Sequence, residues 1–90
     1  MPSVERTFLI VNTLGLHARA AAQLVQTANR YRSSVLVEKD GMEVNGKSIM
    51  GVLTLAAAKG TQIVVRCDGD DAEAAMSSLA AMIENGFGEK

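Results

Sequence analysis

His17 is the only histidine in the chain, and it stands inside the stretch "TLGLHARAAAQL", between a glycine and an alanine-rich run. A neutral imidazole keeps a free lone pair on one ring nitrogen, so it can serve as a nucleophile. A helix that begins at Ala18 places His17 at its N-cap. There the first backbone N–H groups have no partner within the helix and carry the positive end of its dipole. Such an end suits an anion. A phosphoryl group carried on a His17 nitrogen would lie beside the backbone of Ala18, Arg19 and Ala20. The Arg19 guanidinium can add a charge-assisted hydrogen bond to a phosphate oxygen.

Other chemistries are poorly served. No second histidine is present, and no cysteine or carboxylate lies at ligand spacing from His17, so neither a metal site nor a cofactor is expected. No acid close to His17 in the chain is placed to build a hydrolytic relay. If His17 works, it carries a group and does not hydrolyse one. A lone histidine near a helix start also has a plainer reading, as an exposed polar residue without chemistry. The pattern alone leaves both open.

The elements that must hold His17 follow from periodicity. Val4–Val11 reads as a strand in which Val4, Arg6, Phe8 and Ile10 alternate with Glu5, Thr7, Leu9 and Val11. Asn12–Gly15 is a turn. Ala21, Leu24, Val25 and Ala28 then follow the spacing of an amphipathic helix over Ala18–Asn29. Ser34–Lys39 is a second strand, turned by Asp40–Gly41 into a short third strand, Met42–Val44. Ile49–Leu55 reads as a short helix with Ser48 at its N-cap, although Gly51 lies inside it. Thr61–Asp68 is a fourth strand. Asp70–Asn85 is the clearest helix, with Asp70 and Glu73 resembling a capping box. Its expected buried stripe is Ala72, Ala75, Met76, Leu79 and Ile83, and Gly86 suits the C′ position. The order β-α-β-β-α-β-α predicts an α+β open-faced sandwich: a four-stranded, mostly antiparallel sheet with three helices on one face.

Composition bounds the partners. Ninety residues suffice for one domain spanning 1–90, and 48 % of them are apolar. With two Phe, one Tyr, no Trp and a net charge of −1, the chain is no general nucleic-acid binder. No apolar run approaches a membrane span and no signal segment opens the chain, so a soluble, cytoplasmic protein is expected, with no membrane insertion and nothing that demands an oligomer. The single cysteine, Cys67, falls in a strand pattern and reads as a buried, inert thiol. Arg19, Arg30 and Arg32 lie in a segment, Leu14–Val37, without acids.

Two separated motifs, "GLHARAAA" and "VNGKSIMGVLTLAAAKG", closely resemble those of the HPr family, the histidine phosphocarriers of the bacterial phosphotransferase system. The resemblance runs over nearly the whole chain and implies the same fold. It further implies that His17 accepts a phosphoryl group on Nδ1 from phospho-enzyme I, charged by phosphoenolpyruvate, and hands it to an enzyme IIA. The protein would then be a phosphocarrier and not a turnover enzyme. Arg19 matches the arginine that positions the phosphate. Ser48 matches a serine modified by an HPr kinase/phosphorylase, although most N-cap serines are only caps. A docking patch for partners is implied at Leu16, Ala20, Lys47, Ile49, Met50 and Leu53, with Met50 and Leu53 partly exposed. Ala20 stands where the family motif has proline. Alanine restores an N–H, and that donor is expected to offer phosphate or solvent a contact. Gln23, Gln26 and Asn29 replace lysines common in sugar-pathway members, which leaves the IIA partner open. Two alternatives stay open as well: a nitrogen-branch or regulatory HPr paralogue acting mainly through protein binding, and a small-molecule-binding α+β module.

Overall fold

The computed structural model describes residues 2–89. Its elements are β1 (Ser3–Leu9), α1 (Ala18–Ala28), β2 (Ser34–Lys39), β3 (Met42–Asn45), α2 (Ile49–Thr54), β4 (Gln62–Asp68) and α3 (Ala72–Glu84), followed by a 3-10 turn at Gly86–Gly88. The strands form one sheet in the order β1-β4-β2-β3, and every neighbouring pair is antiparallel. Successive side chains along a strand point to opposite faces. Val35 and Val37 of β2 and Ile63, Val65 and Cys67 of β4 therefore all reach the buried face. The expected alternation at the first strand holds too: Phe8 and Ile10 are buried, while Leu9 and Val11 are exposed.

The helices cover that face. Ala21, Leu24, Val25 and Ala28 of α1 are buried, as their spacing requires, and so is Thr27. Ala72, Ala75, Met76, Leu79 and Ile83 of α3 are buried together with Ala80. Small alanines let α3 lie close to β1 and β4 and let α1 pack against α2 and α3, and the larger Leu and Ile side chains fill the space between layers. The Cys67 thiol is fully buried, and burial pushes its pKa up. Asp40 and Gly41 both adopt positive φ, 51° and 84°, as a two-residue hairpin turn needs.

One local expectation changes. The start of α3 is not a capping box on Asp70. The N-cap is Asp71, and its carboxylate makes no bond to the helix. It accepts instead from the backbone N–H groups of Arg32 and Ser33, both at 2.9 Å, and from the Ser33 hydroxyl. The pull of the α1–β2 connection thus replaces the local cap. By contrast, Gly51 does not break α2. It occupies the first turn, where its N–H donates to Ser48 Oγ at 3.0 Å.

Candidate functional site

The loop ahead of α1 is built to present His17. Gly15 takes φ +63°, and a Cβ there would lie 2.4 Å from the Ala57 carbonyl oxygen. The absence of that atom lets Leu16 N–H reach the same oxygen at 2.8 Å. His17 follows in an extended conformation and caps α1. Its Nδ1 accepts from the Arg19 N–H at 3.3 Å, and its carbonyl accepts from Ala21 N–H at 2.8 Å. An imidazole nitrogen here takes the part usually played by a serine or aspartate oxygen.

The other ring nitrogen meets an acid that sequence proximity does not suggest. His17 Nε2 bonds to Glu89 Oε2, across 72 residues. Asn12 Nδ2 donates to Glu89 Oε1 at 3.0 Å and to the Gly15 carbonyl at 2.8 Å. Both partners are acceptors, so the amide nitrogen must face them. Asn12 Oδ1 is consequently buried without a partner among the described residues. The Asn12 amide and then the His17 ring hold the Glu89 carboxyl below its ordinary pKa, and the Arg19 charge adds to this.

The two ring contacts agree on a tautomer. Arg19 N–H is a donor, so Nδ1 offers its lone pair. Glu89 is an ionised acceptor, so Nε2 carries the proton. The ring is partly exposed, its side chain retaining 25 % of its free surface. The absence of an acid near His17 in sequence was thus no guide to its surroundings. Asn12 read only as a turn former. The one hint of Glu89 was a Phe between two glycines near the chain end, a pattern that fits a tail folding back to bury an aromatic ring.

The remaining expected residues separate into surface and core. Ala18 and Arg19 are exposed at the helix start. Ala20 is fully buried, which takes both its side chain and its N–H out of contact with solvent. The exposed residues of the first turn are therefore Ala18 and Arg19. Leu16 is buried as well, because its N–H bond to Ala57 turns the residue into the core. Neither Leu16 nor Ala20 presents a side chain to a partner. Met50 is 73 % exposed and Ile49 is 43 % exposed, while Leu53 is partly buried against the core. Leu14, in the His17 loop, is another exposed apolar side chain. Lys47 is half-buried and donates from Nζ to the Tyr31 carbonyl at 2.7 Å, so its charge is directed inward from the expected rim. Ser48 caps α2 as its position in the sequence suggests. Among the described residues no group of His, Cys, Asp and Glu could hold a metal ion, and no helix is long and apolar enough to cross a membrane.

A model of the PTS HPr component phosphorylation site matches residues 4–85. The phosphocarrier protein HPr of Xylella fastidiosa strain 9a5c is 50 % identical over 86 residues, which cover 96 % of this chain and 97 % of the relative. The crystal structure of HPr-C-His from Thermoanaerobacter tengcongensis superposes with a TM-score of 0.94 at 46 % identity, covering 97 % of this chain and 98 % of that one. An HPr dimer from the same organism superposes at 0.78, again with 46 % identity, over 91 % of this chain and 94 % of the other. With its single imidazole held at a helix start inside this four-stranded fold, the chain belongs to the HPr family of the phosphotransferase system, whose relatives are phosphocarriers.

Proposed function

We propose that this chain accepts a phosphoryl group on His17 Nδ1 from phospho-enzyme I and passes it to an enzyme IIA. The observation that carries this is the state of Nδ1: partly exposed, bearing a lone pair, and directed at the first-turn amide of Arg19. A phosphoryl group on that nitrogen takes over the Arg19 N–H and gains the field of the helix start. The exposed Arg19 side chain supplies a cation within reach of its oxygens. Partners dock on Met50 and Ile49, with the partly buried Leu53 one turn further along α2, and methionine suits a surface that must fit more than one protein. The group leaves as it arrived, so the protein is a stoichiometric carrier and not a turnover enzyme. It acts in the cytoplasm as a monomer, even though a relative has been crystallised as a dimer.

Ser48 is a second, regulatory position. Its hydroxyl already faces the Gly51 N–H, and a phosphate there adds close to two negative charges beside Met50 and Ile49. A kinase acting on it would weaken docking without unfolding the domain. This observation also favours a regulatory reading in which Ser48-dependent binding is a main output.

Incubation with enzyme I and labelled phosphoenolpyruvate tests the carrier role. Acid-labile label is expected in the wild type and none in His17→Ala, with the variant's fold checked by its melting curve. Acid-stable label, or label that persists in a folded His17→Ala, overturns it. Sedimentation equilibrium at micromolar concentration checks the monomer.

A further inference from the structure

Resting on the phosphocarrier reading above, we propose that Glu89 is a positioning residue for phosphoryl transfer: it holds the His17 ring so that Nδ1 is the free nitrogen, and it balances the charge the ring gains on accepting phosphoryl. Three features of the site converge on this carboxylate. Its Oε2 takes the Nε2 side of the ring, leaving Nδ1 as the nucleophile. Its Oε1 is fixed by the Asn12 amide, itself 3 % exposed and anchored on the Gly15 carbonyl. Its backbone is tied by Glu89 N–H to the Gly86 carbonyl at 3.0 Å. One amide thus braces both the histidine loop and the acid that orients the histidine.

The chemistry needs such a partner. The Nδ1 lone pair forms the new N–P bond, and the bond between phosphorus and the donor breaks with its electron pair going to the donor. The acceptor ring then carries phosphoryl on Nδ1 and a proton on Nε2, so the ring itself is cationic. The Glu89 carboxylate lies against that proton and offsets the charge, as a buried aspartate stabilises an imidazolium in a hydrolytic triad. On the return step the ring departs with its electron pair on Nδ1, and the proton never has to leave Nε2. No base and no water take part in either direction.

Nitrogen-15 spectra of the unphosphorylated protein and transfer kinetics with enzyme I test the two halves. In the neutral ring of the wild type the proton is expected on Nε2. In Glu89→Ala the ring shifts move toward an average of both tautomers. Glu89→Gln keeps an oxygen acceptor but loses the charge. Both variants are expected to accept phosphoryl about tenfold more slowly, with KM for enzyme I unchanged. Glu84→Gln, an exposed acid paired with Arg6, serves as the control and is expected to change neither readout. Unaltered ring shifts in Glu89→Ala, or wild-type transfer rates in both variants, overturn the role of Glu89 alone. A wild-type protein that takes no label from enzyme I overturns the phosphocarrier reading itself.

Discussion

Gly15 controls how closely the histidine loop approaches the segment after α2. Its left-handed φ and its 2.4 Å clearance to the Ala57 oxygen make two separate demands. Gly41 makes only the first, since it has φ +84° and nothing within 4 Å of an added Cβ. Comparing the two positions separates conformational strain from collision. Gly41→Ala is expected to cost about 1 kcal/mol, the ordinary penalty of a left-handed side chain. Gly15→Ala should cost upwards of about 2 kcal/mol, because a backbone oxygen cannot rotate aside, and should also displace His17. Urea unfolding of the two variants checks the difference. Equal losses would show that the loop relaxes around the added methyl. The burial of Leu16 belongs to the same contact: the hydrogen bond that fixes the loop also turns this leucine away from any partner.

At the level of elements, the start of α3 is held to the chain between α1 and β2 through Asp71. Two amides and a hydroxyl donate to its carboxylate, with the Ser33 hydroxyl the largest influence, and together they bring its pKa down to about 2. A folded-state pKa below the ordinary 3.8 means that the charged form favours folding. That contribution is complete above the unfolded pKa and is lost as pH falls from about 4 toward 2. The urea midpoint of the wild type should therefore hold near neutrality and drop across that acid window. Asp71→Asn should lower the midpoint at pH 7 and flatten the acid drop. A variant whose acid drop parallels the wild type would remove Asp71 from the account. The capping box expected at Asp70 fails because the helix is capped one residue later, at Asp71, and that carboxylate is committed to a distant loop.

The whole molecule closes on itself at the histidine. After α3, Gly86 adopts φ +61° and packs its backbone near Asn12, where an added Cβ would come to 3.4 Å from the Asn12 Cβ. Phe87 is buried despite a left-handed φ of 57°, so the core holds the turn that returns Glu89 to the site. Removing that ring is expected to cost about 3–5 kcal/mol. Phe87→Ala should also disturb the ring resonances of His17, far away along the chain. Chemical denaturation and nitrogen-15 spectra at a temperature where the variant stays folded check both effects. An unmoved His17 ring would mean that Glu89 keeps its place without the aromatic anchor.

Much of this architecture was legible in residue order. Strand faces such as Val35/Val37 and Ile63/Val65/Cys67, the stripes of α1 and α3, the Asp40–Gly41 hairpin and the caps at His17 and Ser48 all depend on neighbours within a few residues. Helical and extended backbones fix side-chain direction locally, so these features can be read without knowing the rest. The two HPr-like motifs carried the family for the same reason, since each is continuous. Tertiary structure alone decided which distant groups meet. It brought Glu89 and Asn12 to His17, committed Asp71 to Ser33, turned Lys47 onto Tyr31, and buried Leu16 and Ala20. Those contacts come from packing helices onto one face of a sheet, which brings together residues whose separation along the chain carries no record of their distance in space.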